Sequence, residues 1–193
     1  KPIIEHLINK LSQQGFVNII IAVHYLKEKI KKYLKNGKKF GVKIKYINEK
    51  NPLGTAGAIK LLKLKKKLPV VVCNSDVVSN LNFSDLLTFH KQNKSVATLV
   101  VKQVNQKNPY GVINTNGLKI KNFVEKPNIK LNINAGVYVL EKKVLNLINK
   151  DKFDMPELYK KIISNKLKTI VYPIYEDWTD VGSKKNLSEI KKR

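Results

Sequence analysis

Hydrophobic positions along the chain change period in a regular order. Ile3, Ile4, Leu7, Ile8 and Leu11 recur at helical spacing, and Gly15 is placed to end that helix. Residues 17–23 then form a near-continuous apolar run of strand length. Leu26, Ile30, Tyr33 and Leu34 return to the helical period, closed by Gly37. A strand over 41–47, a polar glycine-bearing loop over 48–57 and a helix over 58–64 follow. Residues 69–73 read as a strand buried on both faces. Helix, strand, helix, strand with short connections predicts a mostly parallel sheet covered on both faces.

Further on, Ser84 is placed to cap a helix bearing Leu86, Leu87 and His90, and 95–101 reads as a strand. The pattern then changes. Short strands over 110–114 and 118–124 flank Asn116-Gly117, a two-residue hairpin signal, and predict a small β lid over the crevice. A strand over 132–140, a helical stretch over 144–148, a helix over 155–163 with Pro156 in its first turn and a strand over 168–175 return to alternation. Ser183 is placed to cap a final helix.

At 193 residues with 42% hydrophobic content, the chain suits a single domain over 1–193 with a sizeable core. No window approaches the roughly 18 apolar residues of a membrane span, and no signal-peptide pattern is present, so a cytoplasmic location is expected. Cys73, the single cysteine, lies in an apolar run and reads as a core residue. The charge changes the picture more. A net charge of +24 points toward an anionic partner. Yet of 38 basic residues only Arg193 is an arginine, and base reading leans on the arginine fork, which argues against nucleic acid.

The candidate chemistry sits at strand ends. Asp76 follows the 69–73 strand and so points into the crevice where open α/β sheets bind ligands. Asp180, in the run Asp177-Trp178-Thr179-Asp180-Val181-Gly182, offers a distant partner. Two carboxylates are what Mg²⁺ accepts beside phosphate oxygens. Taken alone, each aspartate reads more readily as a turn residue, and it is the surrounding motifs that favour the metal reading. The glycines of Leu53-Gly54-Thr55-Ala56-Gly57 allow close backbone approach at a helix start, where N–H donors are unpaired, although the segment is neither a Walker loop nor a dinucleotide fingerprint. His6, His24 and His90 have no metal-ligand spacing, and Tyr172, Tyr175 and Trp178 read as packing residues.

In chain order, Lys1-Pro2-Ile3-Ile4-Glu5-His6, Leu53-Gly54-Thr55-Ala56-Gly57, Asn74-Ser75-Asp76, Tyr110-Gly111-Val112, Phe123-Val124-Glu125-Lys126-Pro127, Asn132-Ile133-Asn134-Ala135-Gly136-Val137-Tyr138 and Trp178-Thr179-Asp180-Val181-Gly182 resemble the sugar-1-phosphate nucleotidyltransferases over essentially the whole length. The likeness is nearest to bacterial mannose-, heptose- and amino-sugar-1-phosphate guanylyltransferases that serve surface glycans. It implies a Rossmann-like, GT-A-like fold in which a sugar 1-phosphate attacks the α-phosphorus of a nucleoside triphosphate, GTP slightly favoured, and pyrophosphate leaves. By the resemblance, Asp76 and Asp180 hold Mg²⁺ and are catalytic together with Lys126, which faces the sugar phosphate. Glu125, Gly111 and Asn134 contact the sugar, and Leu53, Gly54 and Thr55 the nucleoside.

Three departures qualify the resemblance. The family's first strand and glycine-rich loop would precede Lys1, so the chain as given is expected to bind triphosphate poorly or to be inactive. Ser75 stands where the family has glycine, and Thr179 where it has an aliphatic residue. A non-catalytic nucleotide-sugar-binding domain and, further off, a basic nucleic-acid binder remain open alternatives, as does homo-oligomer formation.

Overall fold

The computed structural model of the protein describes residues 2–62 and 68–182. The expectations at Lys1, Leu64 and Ser183 fall outside them. Helix α1 (Ile3–Gln13) buries Ile8 and Leu11, the stripe its spacing predicts. Strand β1 (Asn18–Val23) pairs in parallel with β2 (Lys43–Asn48), and α2 (Lys27–Leu34) makes the crossover between them. Ile8 of α1 and Leu34 of α2 pack with Val42 and Ile44 in the core of this unit.

The central sheet has the order β3 (Val70–Cys73), β8 (Asn128–Leu140), β5 (Ala97–Lys107), β9 (Thr169–Ile174). Only the β5–β9 pair is parallel; β8 runs antiparallel to both of its neighbours. The fold is α/β as expected, but this sheet is mixed where mostly parallel pairing was predicted. The reason is the connection. No helix crosses from β5 to β8; the chain turns back through a hairpin, which forces antiparallel pairing. As the end strand in that order, β3 is only half-buried along its length, so its apolar run is not covered on both faces as expected.

Helices cover both faces of the sheet, and the two-residue period of β8 shows how. Tyr138 and Leu140 join Phe153 and the Leu158 and Ile162 stripe of α5 (Met155–Ser164), while Val137 and Val139 join Leu81, Phe83 and Leu86 on the side of α4 (Phe83–Gln92). Asn82, not Ser84, caps α4: its carboxamide oxygen accepts from the N–H groups of Ser84 at 3.0 Å and Asp85 at 3.2 Å. The helix expected over 58–64 starts earlier and tightens, as α3 (Gly54–Gly57) followed by a 3₁₀ turn (Ala58–Leu61). His90 is a satisfied core histidine, with Nδ1 2.7 Å from Thr98 Oγ1 and Nε2 3.3 Å from Glu141 Oε1.

Beyond the sheet, β5 and β8 continue as a two-stranded ladder as far as Lys107 opposite Asn128. The predicted hairpin, β6 (Val112–Asn116) and β7 (Lys119–Val124), stands at its tip. Asn116 pairs with Lys119, so the turn residues are Gly117 and Leu118, one position later than expected. Every residue of β7 is exposed, and the insertion stands out as an arm.

Candidate active site

Asp76 leaves the end of β3 in a tight turn into a short strand that the sequence pattern did not reveal, β4 (Val77–Ser79). β4 pairs antiparallel with β10 (Trp178–Asp180), which sets Asp180 opposite Val77, and the Val181 N–H donates to the Asp76 carbonyl at 2.9 Å. Two aspartates more than a hundred positions apart are thereby locked side by side. A methyl group placed on Gly182 would lie 3.0 Å from Asp180 Oδ1 and 3.8 Å from Asp76 Oδ2, so both carboxylates face one space above that glycine. The Gly182 N–H donates to Asp180 Oδ1 at 2.8 Å and holds that carboxylate in place.

The loop carrying Asp180 is fixed from three sides. The Trp178 indole N–H donates to the Ala135 carbonyl at 2.9 Å, and the Asn80 N–H donates to the Asp177 carbonyl at 3.1 Å. Lys102 Nζ donates to the carbonyls of Tyr175 and Glu176, both at 2.9 Å. Trp178 therefore packs, as expected, and also ties the loop to β8. Neither the Lys102 nor the Asn80 anchor could be read from spacing, because each is a contact to a carbonyl far along the chain.

What can such a pair hold? No group of three or more His, Cys, Asp or Glu residues suited to a metal occurs among the described residues. Two carboxylates facing one open space fit a Mg²⁺ ion that completes its shell with water and substrate phosphates, and fit poorly a fully protein-caged metal. Neighbouring Cys73 is no ligand or nucleophile: it is a half-buried residue in which loss of solvent around the sulfur pushes the thiol up to about 12.

β8 links this space to the predicted sugar contacts. Its ladder with β5 slips between Leu99 and Val101, and at the bulge Gly136 takes φ +72°. A Cβ there would lie 3.0 Å from both Asn74 Nδ2 and Val77 Cγ2, and the Asn74 N–H donates to the Gly136 carbonyl at 2.8 Å. Asn134, two residues before the bulge, is exposed; its amide donates to the Tyr138 hydroxyl at 2.7 Å and its Oδ1 accepts from the Gly136 N–H at 2.9 Å. Gly136 thus ties the Asn134 segment to the strand end that bears Asp76. The signal for it was a lone glycine inside a strand pattern.

Gly111 and Glu125 meet on the arm: a Cβ on Gly111 would lie 2.7 Å from Phe123 Cζ and 2.9 Å from Glu125 Oε2. Lys126 follows with φ +43°, its Nζ 3.9 Å from Glu125 Oε1, and the two side chains are 68% and 62% exposed. Such an exposed pair is worth little to stability, so both charges are available to a ligand.

Leu53, Gly54 and Thr55 form a separate group, and their backbone is already engaged. Asp154 Oδ1 accepts from the Thr55 N–H at 2.9 Å, Thr55 Oγ1 accepts from the Met155 N–H at 2.8 Å, and Glu49 Oε2 accepts from the Leu53 N–H at 3.0 Å. The Ala56 and Gly57 N–H groups both donate to the Phe153 carbonyl at 2.9 Å. The expected unpaired helix-start donors are therefore taken, and the glycines serve packing: a Cβ on Gly54, at φ +77°, would lie 2.6 Å from Asp154 Oδ1 and 2.7 Å from the Phe153 carbonyl oxygen. Sequence reasoning missed Asp154 as the partner, although Asp154 and Glu157 around Pro156 form a capping-box pattern.

Comparisons with known proteins bear on the family and the fold. The family model described as "Nucleotidyl transferase" matches residues 1–193. The chain is 31% identical over 194 residues to "Mannose-1-phosphate guanyltransferase beta-B" of Xenopus laevis, covering 96% of this chain and 54% of that protein. It is 40% identical over 160 residues to "Mannose-1-phosphate guanyltransferase" of Yarrowia lipolytica, covering 77% and 43%. The chain thus spans about half the length of the curated relatives it matches. Among solved structures, HddC from Yersinia pseudotuberculosis superposes with a TM-score of 0.77 at 24% identity, covering 100% of this chain and 86% of that one, and shares the fold. On the full-length match to its model, the chain belongs to the nucleotidyl transferase family, as its likeness to sugar-1-phosphate nucleotidyltransferases implied.

Proposed function

We propose that this chain carries the transfer site of an enzyme that joins a nucleoside triphosphate to a sugar 1-phosphate. The observation that supports it best is the convergence of Asp76 and Asp180 on one space at the end of β3. The sugar phosphate oxygen forms a bond to the α-phosphorus, the bond from that phosphorus to the bridging oxygen breaks, and pyrophosphate departs with the electron pair. The nucleophile is already ionised near neutral pH, so the site needs no general base. Alignment and charge neutralisation carry the rate.

Asp76 and Asp180 would hold Mg²⁺, which when bound neutralises charge on the triphosphate. Lys126 faces the sugar phosphate as a mobile point charge. Glu125 accepts from sugar hydroxyls, with the Gly111 backbone beside it, and Asn134 contacts the sugar from the base of the arm. Leu53, Gly54 and Thr55 support the nucleoside through a turn made rigid by Asp154, and not through free amide donors.

GTP is the favoured triphosphate and mannose 1-phosphate the first sugar to test, because relatives at 31% and 40% identity carry the name mannose-1-phosphate guanyltransferase. The product would feed glycan assembly. The relatives come from frog, yeasts and rice, so they lend no support to the bacterial surface glycans expected from the sequence. A cytoplasmic location is part of this reading; the described residues contain no helix long and apolar enough to cross a membrane. Pyrophosphate release by the full-length protein, assayed with Mg²⁺ across a panel of nucleoside triphosphates and sugar phosphates, tests the reading. Turnover is expected with GTP and mannose 1-phosphate; no turnover with any pair overturns it, and binding without turnover would mark a non-catalytic nucleotide-sugar domain.

A further inference from the structure

We propose that Tyr138 is a positioning residue for the sugar subsite, its buried hydroxyl holding the Asn134 carboxamide in the orientation that meets the sugar; this rests on the reading of the site given above. In a straight strand residues 134 and 138 would stand roughly 13 Å apart, beyond the reach of a tyrosine hydroxyl. At the bulge around Gly136 the four steps of β8 from Asn134 to Tyr138 lie opposite only two steps of β5, from Val101 to Leu99, which shortens the span, and Asn134 Nδ2 comes to 2.7 Å from the Tyr138 hydroxyl. The Gly136 N–H must find an acceptor and points at Oδ1, which settles which end of the carboxamide is oxygen. Both ends are then held, leaving one amide proton and one lone pair for a ligand on an exposed side chain.

Tyr138 itself is 2% exposed, in the core that α5 covers, with its ring centroid 6.1 Å from that of Tyr159. Burial pushes its phenol up, so it stays neutral at working pH. A phenylalanine would fill the same space. Among the described residues the hydroxyl's partner is an exposed amide beside the crevice, which a purely packing residue does not need. Tyr159 supplies the contrast: its hydroxyl is buried in the same aromatic pair with no hydrogen-bond partner among the described residues.

Tyr138→Phe, in the full-length protein, is expected to raise KM for the sugar phosphate by about tenfold, the size of one lost hydrogen bond, with kcat and KM for the triphosphate changed less than about twofold. Tyr159→Phe, which removes the partnerless hydroxyl, is expected to change neither KM. In an Asn134→Ala background the effect of Tyr138→Phe should shrink to under about twofold, because the two act as one unit. An equal effect in both backgrounds, or equal shifts in both KM values, overturns the proposal. A second readout does not depend on turnover. The Asn134 side-chain amide signal in a ¹⁵N NMR spectrum should move and exchange faster with solvent in Tyr138→Phe, and an unchanged signal overturns the proposal. If the wild-type protein turns over no substrate pair, the proposed function fails, and the amide signal still decides the role of Tyr138.

Discussion

Asp76→Asn and Asp180→Asn each keep the shape of the side chain and remove one charge from the space above Gly182. Pyrophosphate release should fall at least about a hundredfold in each, the scale of losing a group that orders charge in a transition state. Near-normal rates in either variant would remove that residue from the metal site. At Asp76 a strand end gave a physical reason to face the crevice, while Asp180 was legible only through the resemblance carried by its acidic run. How the carboxylates meet was not legible, because β4 is three residues long and exists only by pairing with β10. The nucleoside contacts were the least readable. Glycines in Leu53–Gly57 suggest close backbone approach and unpaired N–H donors, while the oxygen that takes the Thr55 donor belongs to Asp154, 99 positions away. Gly54→Ala adds both a left-handed strain and contacts inside 2.8 Å to that segment, and should cost about 2–4 kcal/mol in a denaturant titration.

At the level of elements, α5 owes part of its start to Glu157, which accepts from Lys150 Nζ at 2.8 Å and from the Asp154 N–H at 3.3 Å. The Lys150 contact first, then the backbone one, hold the Glu157 carboxyl below the usual carboxylate range. A depressed value in the folded state means stability that is present above the ordinary glutamate range and lost as pH falls through the folded value. Glu157→Gln should therefore melt earlier than the parent near about pH 6, and the gap should close as pH falls through and below the folded value. A gap independent of pH would show that the charge plays no part. Periodicity located nearly every element: α1 buries the stripe it marks, and β1 and α5 lie within a residue of their expected bounds, although only Val23 of β1 is buried. It failed on strand direction, because direction depends on what lies between strands: a helix returns the chain parallel, as α2 does, while a hairpin returns it antiparallel, as β6 and β7 do.

Over the whole molecule, the net charge of +24 is lysine spread along the sequence, with Lys126 one exposed example near the proposed phosphate position. Long-range attraction of that kind is screened over about 10 Å at 0.1 M salt. Raising salt from about 0.05 to about 0.5 M should increase both KM values severalfold while kcat stays nearly constant. A fall in kcat with unchanged KM would place the lysines in the chemistry instead of the approach. Composition alone cannot make that distinction, and the salt series does.

The arm of β5, β8 and the hairpin has a further consequence. It is built of ladder hydrogen bonds and exposed side chains, with Phe123 60% and Ile120 69% open to water, and it contributes nothing to the buried clusters beyond Val101 and Ala135. Lys119, Lys121 and Lys130 all lie on it, none of them before a proline. Trypsin should nick this projection while the sheet beneath is still native, so the protein would be silenced by a cut long before it melts.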